Sequence, residues 1–273
     1  MSYSKKQGQL GFAMKVFSFR NIRIIILLGI LATALIYTQE QQRSTTSWYK
    51  PIEAVIFPIN GDAGTDTAEY IASLSAADFK DIDQFFASGG QQYALTAEQP
   101  IITRLATTIE ARPPEPPADR SNTLSVIWWS LKLRYWAWKH TPDNISNKNR
   151  IRLFVLYHQA DDKQSLAHSL GLQKGLIGVI HAYADNRQTK QNTVVMAHEI
   201  LHTVGATDKY DAANLPLYPV GYAEPDLEPL HPQRFAEIMA GRIAIDTNNA
   251  KMPASLRATR VGEQTAREIN WIK

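Results

Sequence analysis

Cysteine is absent from this chain of 273 residues. Disulfides and thiolate-ligated zinc are therefore excluded, and any metal must be held by histidines or carboxylates. Acidic residues are absent from the first 39 positions, which carry Lys5, Lys6, Lys15, Arg20 and Arg23. The formal charge of +3 belongs to that arm, because beyond it 24 Lys and Arg stand against 26 Asp and Glu. A bulk basic nucleic-acid-binding domain is thereby excluded, and no nucleic-acid partner is expected. No P-loop, G-x-G-x-x-G or G-x-S-x-G occurs, so the sequence carries no sign of a phosphate cradle, a dinucleotide fold or a serine-hydrolase elbow. What remains is an ordinary globular composition, 44% hydrophobic and 20% charged, long enough to bury a sizeable core.

Long apolar runs are also scarce. Ile24 to Tyr37 is an apolar run of 14 residues, whereas a spanning helix takes about 20. Ile22 and Thr38 can extend it, and Arg23 can snorkel. Together with the basic arm this predicts an uncleaved signal anchor. Residues 1–23 form the cytoplasmic arm, 24–38 a single transmembrane helix and 39–50 a polar linker. The domain at 51–273 then lies on the non-cytoplasmic side, periplasmic or extracellular in a bacterium. Two other readings stay open: a signal peptide cleaved near Ala32-Thr33-Ala34, and a buried soluble helix.

Along the domain, Ala54 to Phe57 reads as a strand, and 65–75 and 77–87 as helices, the second stopped by Gly89-Gly90. Ile101–Ile109 is expected to be helical. Leu124 to His140 places Leu124, Ile127, Trp128, Leu131, Tyr135 and Trp138 on one helical stripe. A core-facing stripe is the expectation. An interfacial helix, with Lys132, Arg134 and Lys139 at lipid heads, is the alternative. Arg152–Tyr157 and Leu176–Ala184 are the clearest strands. A helix over Thr193–Val204 follows, then a proline-rich loop region, a short helix around Pro232–Ala244 and a last one around Val261–Ile272. The fold class expected is α+β, with a mixed sheet, one functional helix and a loop-rich C-terminal part.

Chemistry concentrates in His198-Glu199-Ile200-Leu201-His202. Positions i and i+4 of a helix share a face. His198 and His202 can therefore reach one ion at about 2.0–2.1 Å, and Glu199 beside them can take a proton from water activated there. Two histidines and a glutamate on an otherwise apolar helix would be costly without a partner, which a metal supplies. Gly205 can take positive φ and end the helix sharply, turning Asp208 back toward the ion.

This segment resembles the metzincin zinc peptidases, whose signature is H-E-x-x-H-x-x-G-x-x-H. Here Asp208 stands at the last position, and a carboxylate is an ordinary zinc ligand. The resemblance implies one catalytic zinc on His198, His202 and Asp208, with Glu199 as general base. It implies a methionine turn at Glu237-Ile238-Met239-Ala240-Gly241, with Met252 as the weaker candidate. It also implies a peptide or protein substrate bound by strand addition to Leu176–Ala184. Glu224, Glu228, Glu237 and His231 stay open as third ligands. His181 could face the cleft, and Tyr210 or Tyr222 could assist an oxyanion, while His140, His158 and His168 have no ligand spacing. Two functional alternatives remain, a non-catalytic zinc-binding envelope protein and a metal-dependent amidase acting on non-peptide amides.

Overall fold

The computed structural model describes residues 19–119, 121–142, 150–160, 168–173 and 175–273. Most of the basic arm lies outside the described residues. The chain divides into two compact units, 1–43 and 44–273.

The first unit is built on helix α1, Phe19–Thr46. No helix among the described residues is long and apolar enough to cross a membrane, which overturns the expected anchor and the membrane placement built on it. The physical reason is length. The apolar run Ile24–Tyr37 has 14 residues, which rise only about 21 Å against a hydrocarbon core of about 30 Å. The expected linker is also partly helical, because Gln39-Glu40-Gln41-Gln42-Arg43 are good helix formers that carry α1 on to Thr46.

The second unit is an α+β body around a five-stranded mixed sheet. Its strands are β1 (Ile52–Asn60), β2 (Ile101–Leu105), β3 (Arg150–His158), β4 (Leu170–Leu172) and β5 (Ile177–Tyr183), in the order β2-β1-β3-β5-β4. The first four in that order run parallel, and β4 alone is antiparallel to its neighbour β5. Alternation divides each inner strand between two cores. Ile52, Ala54 and Ile56 of β1, and Ile151, Leu153 and Val155 of β3, join one core. Val55, Phe57 and Ile59, with Phe154 and Leu156, join the other. Because both faces are covered, these strands read as continuous hydrophobic runs rather than as alternating ones.

On the first face lie α2 (Thr65–Ser73), α3 (Lys80–Gln92) and α5 (Thr189–Val204). Val194, Met196, Ala197, Ile200, Leu201 and Val204 give α5 its buried side, packed with Phe86, Tyr157 and Ile180. On the second face lies α4 (Thr123–His140), through Leu133 and Ala137. Beyond α5 the chain forms the short strands β6 (Ala236–Glu237), β7 (Ile243–Ala244), β8 (Ala250–Lys251) and β9 (Thr259–Arg260), and ends in helix α6 (Glu263–Glu268).

Several local expectations are corrected. Ile101–Leu105 is a strand paired with β1, so sheet pairing overrides the helical reading. The helix expected around Pro232–Ala244 is replaced by β6, a tight turn and β7, with β6 paired to β9. The stripe on α4 points outward: Leu124 is 78% exposed and Trp138 66%. This helix is apolar on both sides, so periodicity could not select the buried one.

Gly89 and Gly90 do not stop α3, which continues to Gln92. A Cβ on Gly89 would sit 2.8 Å from Trp271, and one on Gly90 2.8 Å from Pro100. These glycines serve close packing. The Trp271 ring is held in turn by Trp48, Phe86 and Tyr93. Gly89→Ala should therefore destabilise the protein by about 1–2 kcal/mol, since overpacking outweighs the gain in helix propensity. The urea midpoint should fall without a change in m.

Candidate metal centre

His198 and His202 sit one turn apart on α5. Gly205 caps that helix in the left-handed region, at φ 114° and ψ 2°. The reversal brings Asp208 under both rings. Asp208 Oδ1 lies 3.2 Å from His198 Nε2 and 3.1 Å from His202 Nε2, and the two Nε2 atoms are 3.0 Å apart. A tetrahedral ion with bonds of about 2.0 Å has corners about 3.3 Å apart. The three atoms thus span one face of such a tetrahedron, and the group could hold a metal ion.

The rest of each ring is committed. His198 Nδ1 lies 2.9 Å from the Ile238 carbonyl, and His202 Nδ1 lies 2.9 Å from the Ala206 carbonyl. Donation from Nδ1 would leave Nε2 free to present its lone pair to a bound ion; without one, Nε2 is the nitrogen that meets Asp208. Glu199 is 4% exposed, and its Oε2 has no hydrogen-bond partner. Burial pushes its carboxyl up, against the opposing pull of His198 and His202. Burial would also raise Asp208, but hydrogen bonds from the two histidines hold it far below the usual carboxylate range. An orphaned buried carboxylate oxygen next to two imidazoles and a low-pKa carboxylate is a donor set that fits a divalent cation.

Two clamps that the sequence did not reveal position this group. Glu237 is fully buried. Its Oε2 accepts the Met239 and Ala240 amides at 2.6 and 3.0 Å, and its Oε1 accepts the Gly262 amide and the Thr265 hydroxyl. These bonds shape the turn whose Ile238 carbonyl orients His198. Gly241 closes the turn at φ 67°, and Met239 beneath it is buried in the α5 core. The second clamp fixes the loop carrying Asp208. Lys209, 2% exposed, reaches Glu268 at 2.8 Å and the Thr207 carbonyl at 2.9 Å. Glu268 also accepts the Thr207 amide and hydroxyl. The Lys209 amide in turn donates to the Met239 carbonyl, so the turn at 237–241 supports both sides of the centre.

The other candidate residues lie elsewhere. Glu237 faces its own turn, Glu224 pairs with Arg234, and His231 bonds Tyr222. Glu228 is exposed, and no group of three ligand residues among the described residues includes any of these four. Met252 is partly exposed, unlike Met239. Tyr210 stands by the site, its ring 6.5 Å from that of His198, and burial together with Asp208 pushes its hydroxyl up to about 12. His158 and His181 come together, with Nε2 and Nδ1 3.0 Å apart. Burial, then His158, lowers His181 to about 4. His140 bonds the Trp136 carbonyl. A cavity of about 300 Å³ opens beside the centre, lined by His181, Tyr183, His198, Glu199, Tyr210 and Arg242 among others.

The expected peptide-binding strand is corrected. β5 is paired with β3 on one side and, over Ile177–Val179, with β4 on the other, so among the described residues β4 is the outermost strand. β4 lies directly on α5. A Cβ on Gly171 would meet the Glu199 carbonyl and the His202 Cβ, each at 2.6 Å. Gly171 is therefore a close-approach glycine, with no helical or motif spacing to announce it.

No protein-family model matches the chain, and no curated protein is similar enough to match it. Among solved structures it is similar to wild-type OgpA from Akkermansia muciniphila, at 13% identity and a TM-score of 0.36 over 79% of this chain. The chain spans 58% of that protein. A likeness of this size carries no functional argument.

The full chain should bind one equivalent of a divalent metal, and His202→Ala should abolish binding. Glu268→Ala should weaken affinity about 10–100-fold by releasing the Asp208 loop, as loss of ligand support does. Both can be read by chelator competition. Undiminished affinity in Glu268→Ala would show that Asp208 is held another way.

Proposed function

We propose that this protein is a metzincin-like zinc-dependent endopeptidase. The observation that carries the reading is the convergence of His198, His202 and Asp208 beside the unpartnered Oε2 of Glu199. Zinc is the metal suited to two imidazoles, one carboxylate and an open position. When bound, it would polarise a carbonyl and acidify a water.

This chain's residues supply the rest. Glu199 accepts the proton of the attacking water, and burial favours this because it raises the carboxylate's affinity for a proton. The same carboxyl then donates that proton to the departing amine. His198 and His202 are kept in one tautomer by the Ile238 and Ala206 carbonyls. An extended peptide would pair with β4, the outermost strand among the described residues, adding a strand beside α5. Its scissile bond would then lie over the open side of the ligand triangle, in the cavity that Tyr210 and Arg242 line.

Glu199→Gln decides between catalysis and metal storage. The amide keeps the shape but cannot accept the proton. The variant should retain zinc and lose at least about 100-fold in cleavage of a peptide library. Asp208→Ala should weaken zinc and activity together, and Asp208→His should restore part of both. Cleavage of non-peptide amides with peptides left intact would point instead to an amidase. Zinc binding without hydrolysis of either class would overturn the enzymatic reading.

A further inference from the structure

Helix α4 is apolar on both sides, yet among the described residues only one side is buried. Leu133 and Ala137 are fully buried against the sheet, with Trp129 and Trp136 packed at their flanks. The Trp129 indole also donates to the Pro114 carbonyl at 2.9 Å, fastening the helix to the body. The opposite side carries Leu124, Ile127, Trp128, Leu131, Tyr135 and Trp138, all between 51% and 78% exposed. Isolated exposed hydrophobics are ordinary, but six on one stripe form a contiguous patch of the kind that marks an interaction surface.

Charge identifies the occupant. Thr123–His140 contains no Asp or Glu. Lys132 and Lys139 are exposed and fall along one margin of the stripe, and the Lys132 ammonium sits 5.5 Å from the centre of the Trp128 ring. In a symmetric pair of copies each patch would face itself. Lysines would then meet lysines with no acid on the helix to compensate, which is unfavourable. An anionic surface has no such penalty. The side-chain types agree, since Trp and Tyr favour the boundary between hydrocarbon and water, and lysines beside them reach acidic headgroups.

We propose that the outer face of α4 is a peripheral lipid-binding surface that lies in the headgroup region of an anionic bilayer, with Trp128, Leu131, Tyr135 and Trp138 inserted and Lys132 and Lys139 on lipid phosphates. This contact lies along the interface and crosses nothing. It stands apart from the metal centre and does not depend on the proposed chemistry.

The test uses the full chain and its tryptophan fluorescence, with vesicles of phosphatidylglycerol and brominated phosphatidylcholine. Brominated acyl chains quench only rings that enter the bilayer. Quenching therefore reports where Trp128 and Trp138 sit, whichever segment brings the chain to the vesicle. Wild type should be quenched, and Trp128→Phe/Trp138→Phe should lose most of that quenching while keeping its circular dichroism spectrum. Lys132→Gln/Lys139→Gln should need more phosphatidylglycerol for half-maximal quenching, about fivefold for each lysine. Equal quenching in the double phenylalanine variant would overturn the proposal by placing the inserted rings elsewhere. Equal quenching on vesicles without phosphatidylglycerol would remove its electrostatic basis. Absence of quenching together with a dimer that Leu131→Glu dissociates would assign the face to a second copy.

Discussion

Three electron-rich atoms meet at the end of a buried helix, and the organisation around α5 follows from that meeting. Two imidazole nitrogens 3.0 Å apart share one carboxylate oxygen at 3.1 and 3.2 Å, with a buried glutamate alongside. Desolvating such a cluster costs several kcal/mol per charge unless something compensates it. A proton on His198 can compensate in part: burial pushes its pKa down, but Asp208 and Glu199 outweigh that and draw it up. Glu199 Oε2 remains without a partner even so. A divalent cation would resolve the whole cluster at once.

The surrounding structure restricts motion at each corner. The helix fixes the spacing of the two rings, and the carbonyls of Ile238 and Ala206 fix their rotation. Asp208 lies on a loop, where precision is harder to obtain, and there the body supplies an ion pair between buried Lys209 and half-buried Glu268 and two further bonds to Thr207. Glu237 performs the matching task on the opposite side by accepting four hydrogen bonds that hold the turn at 237–241. Truncating one member of a buried pair or network typically costs about 3–5 kcal/mol. These two glutamates therefore join the stability of the C-terminal segment to the geometry of the centre. Neither approaches the ligand cluster, so they act by positioning.

The local part of the centre was legible in the sequence because it is carried by spacing. An i, i+4 histidine pair requires only a helix, and a glycine at the C-cap requires only a left-handed turn. What was not legible depends on contacts distant in sequence. The partnership of Glu237 with Gly262 and Thr265, and of Lys209 with Glu268, follows from the path of a loop-rich segment that has no periodicity to read. Gly89, Gly90 and Gly171 resemble helix or strand breakers in sequence, yet each marks a close approach that only the folded chain displays. The parallel strands β1, β3 and β5 were visible as buried runs, but their neighbour order was not, so β4 and not β5 emerged as the edge. The stripe on α4 misled because the face turned to the sheet is equally apolar. The N-terminal run misled because a basic flank suggested an anchor that its length does not support.

The central claim is that His198 and His202 ligate one catalytic zinc together with an oxygen ligand. X-ray absorption at the zinc edge, recorded on the full chain loaded with one equivalent, observes that directly. The expected spectrum contains the outer-shell scattering of two imidazoles, with nitrogen and oxygen neighbours at about 2.0–2.2 Å in a low-coordinate site. A shell of six oxygens without imidazole scattering would contradict the claim and reduce the cluster to a hydrogen-bonded histidine pair.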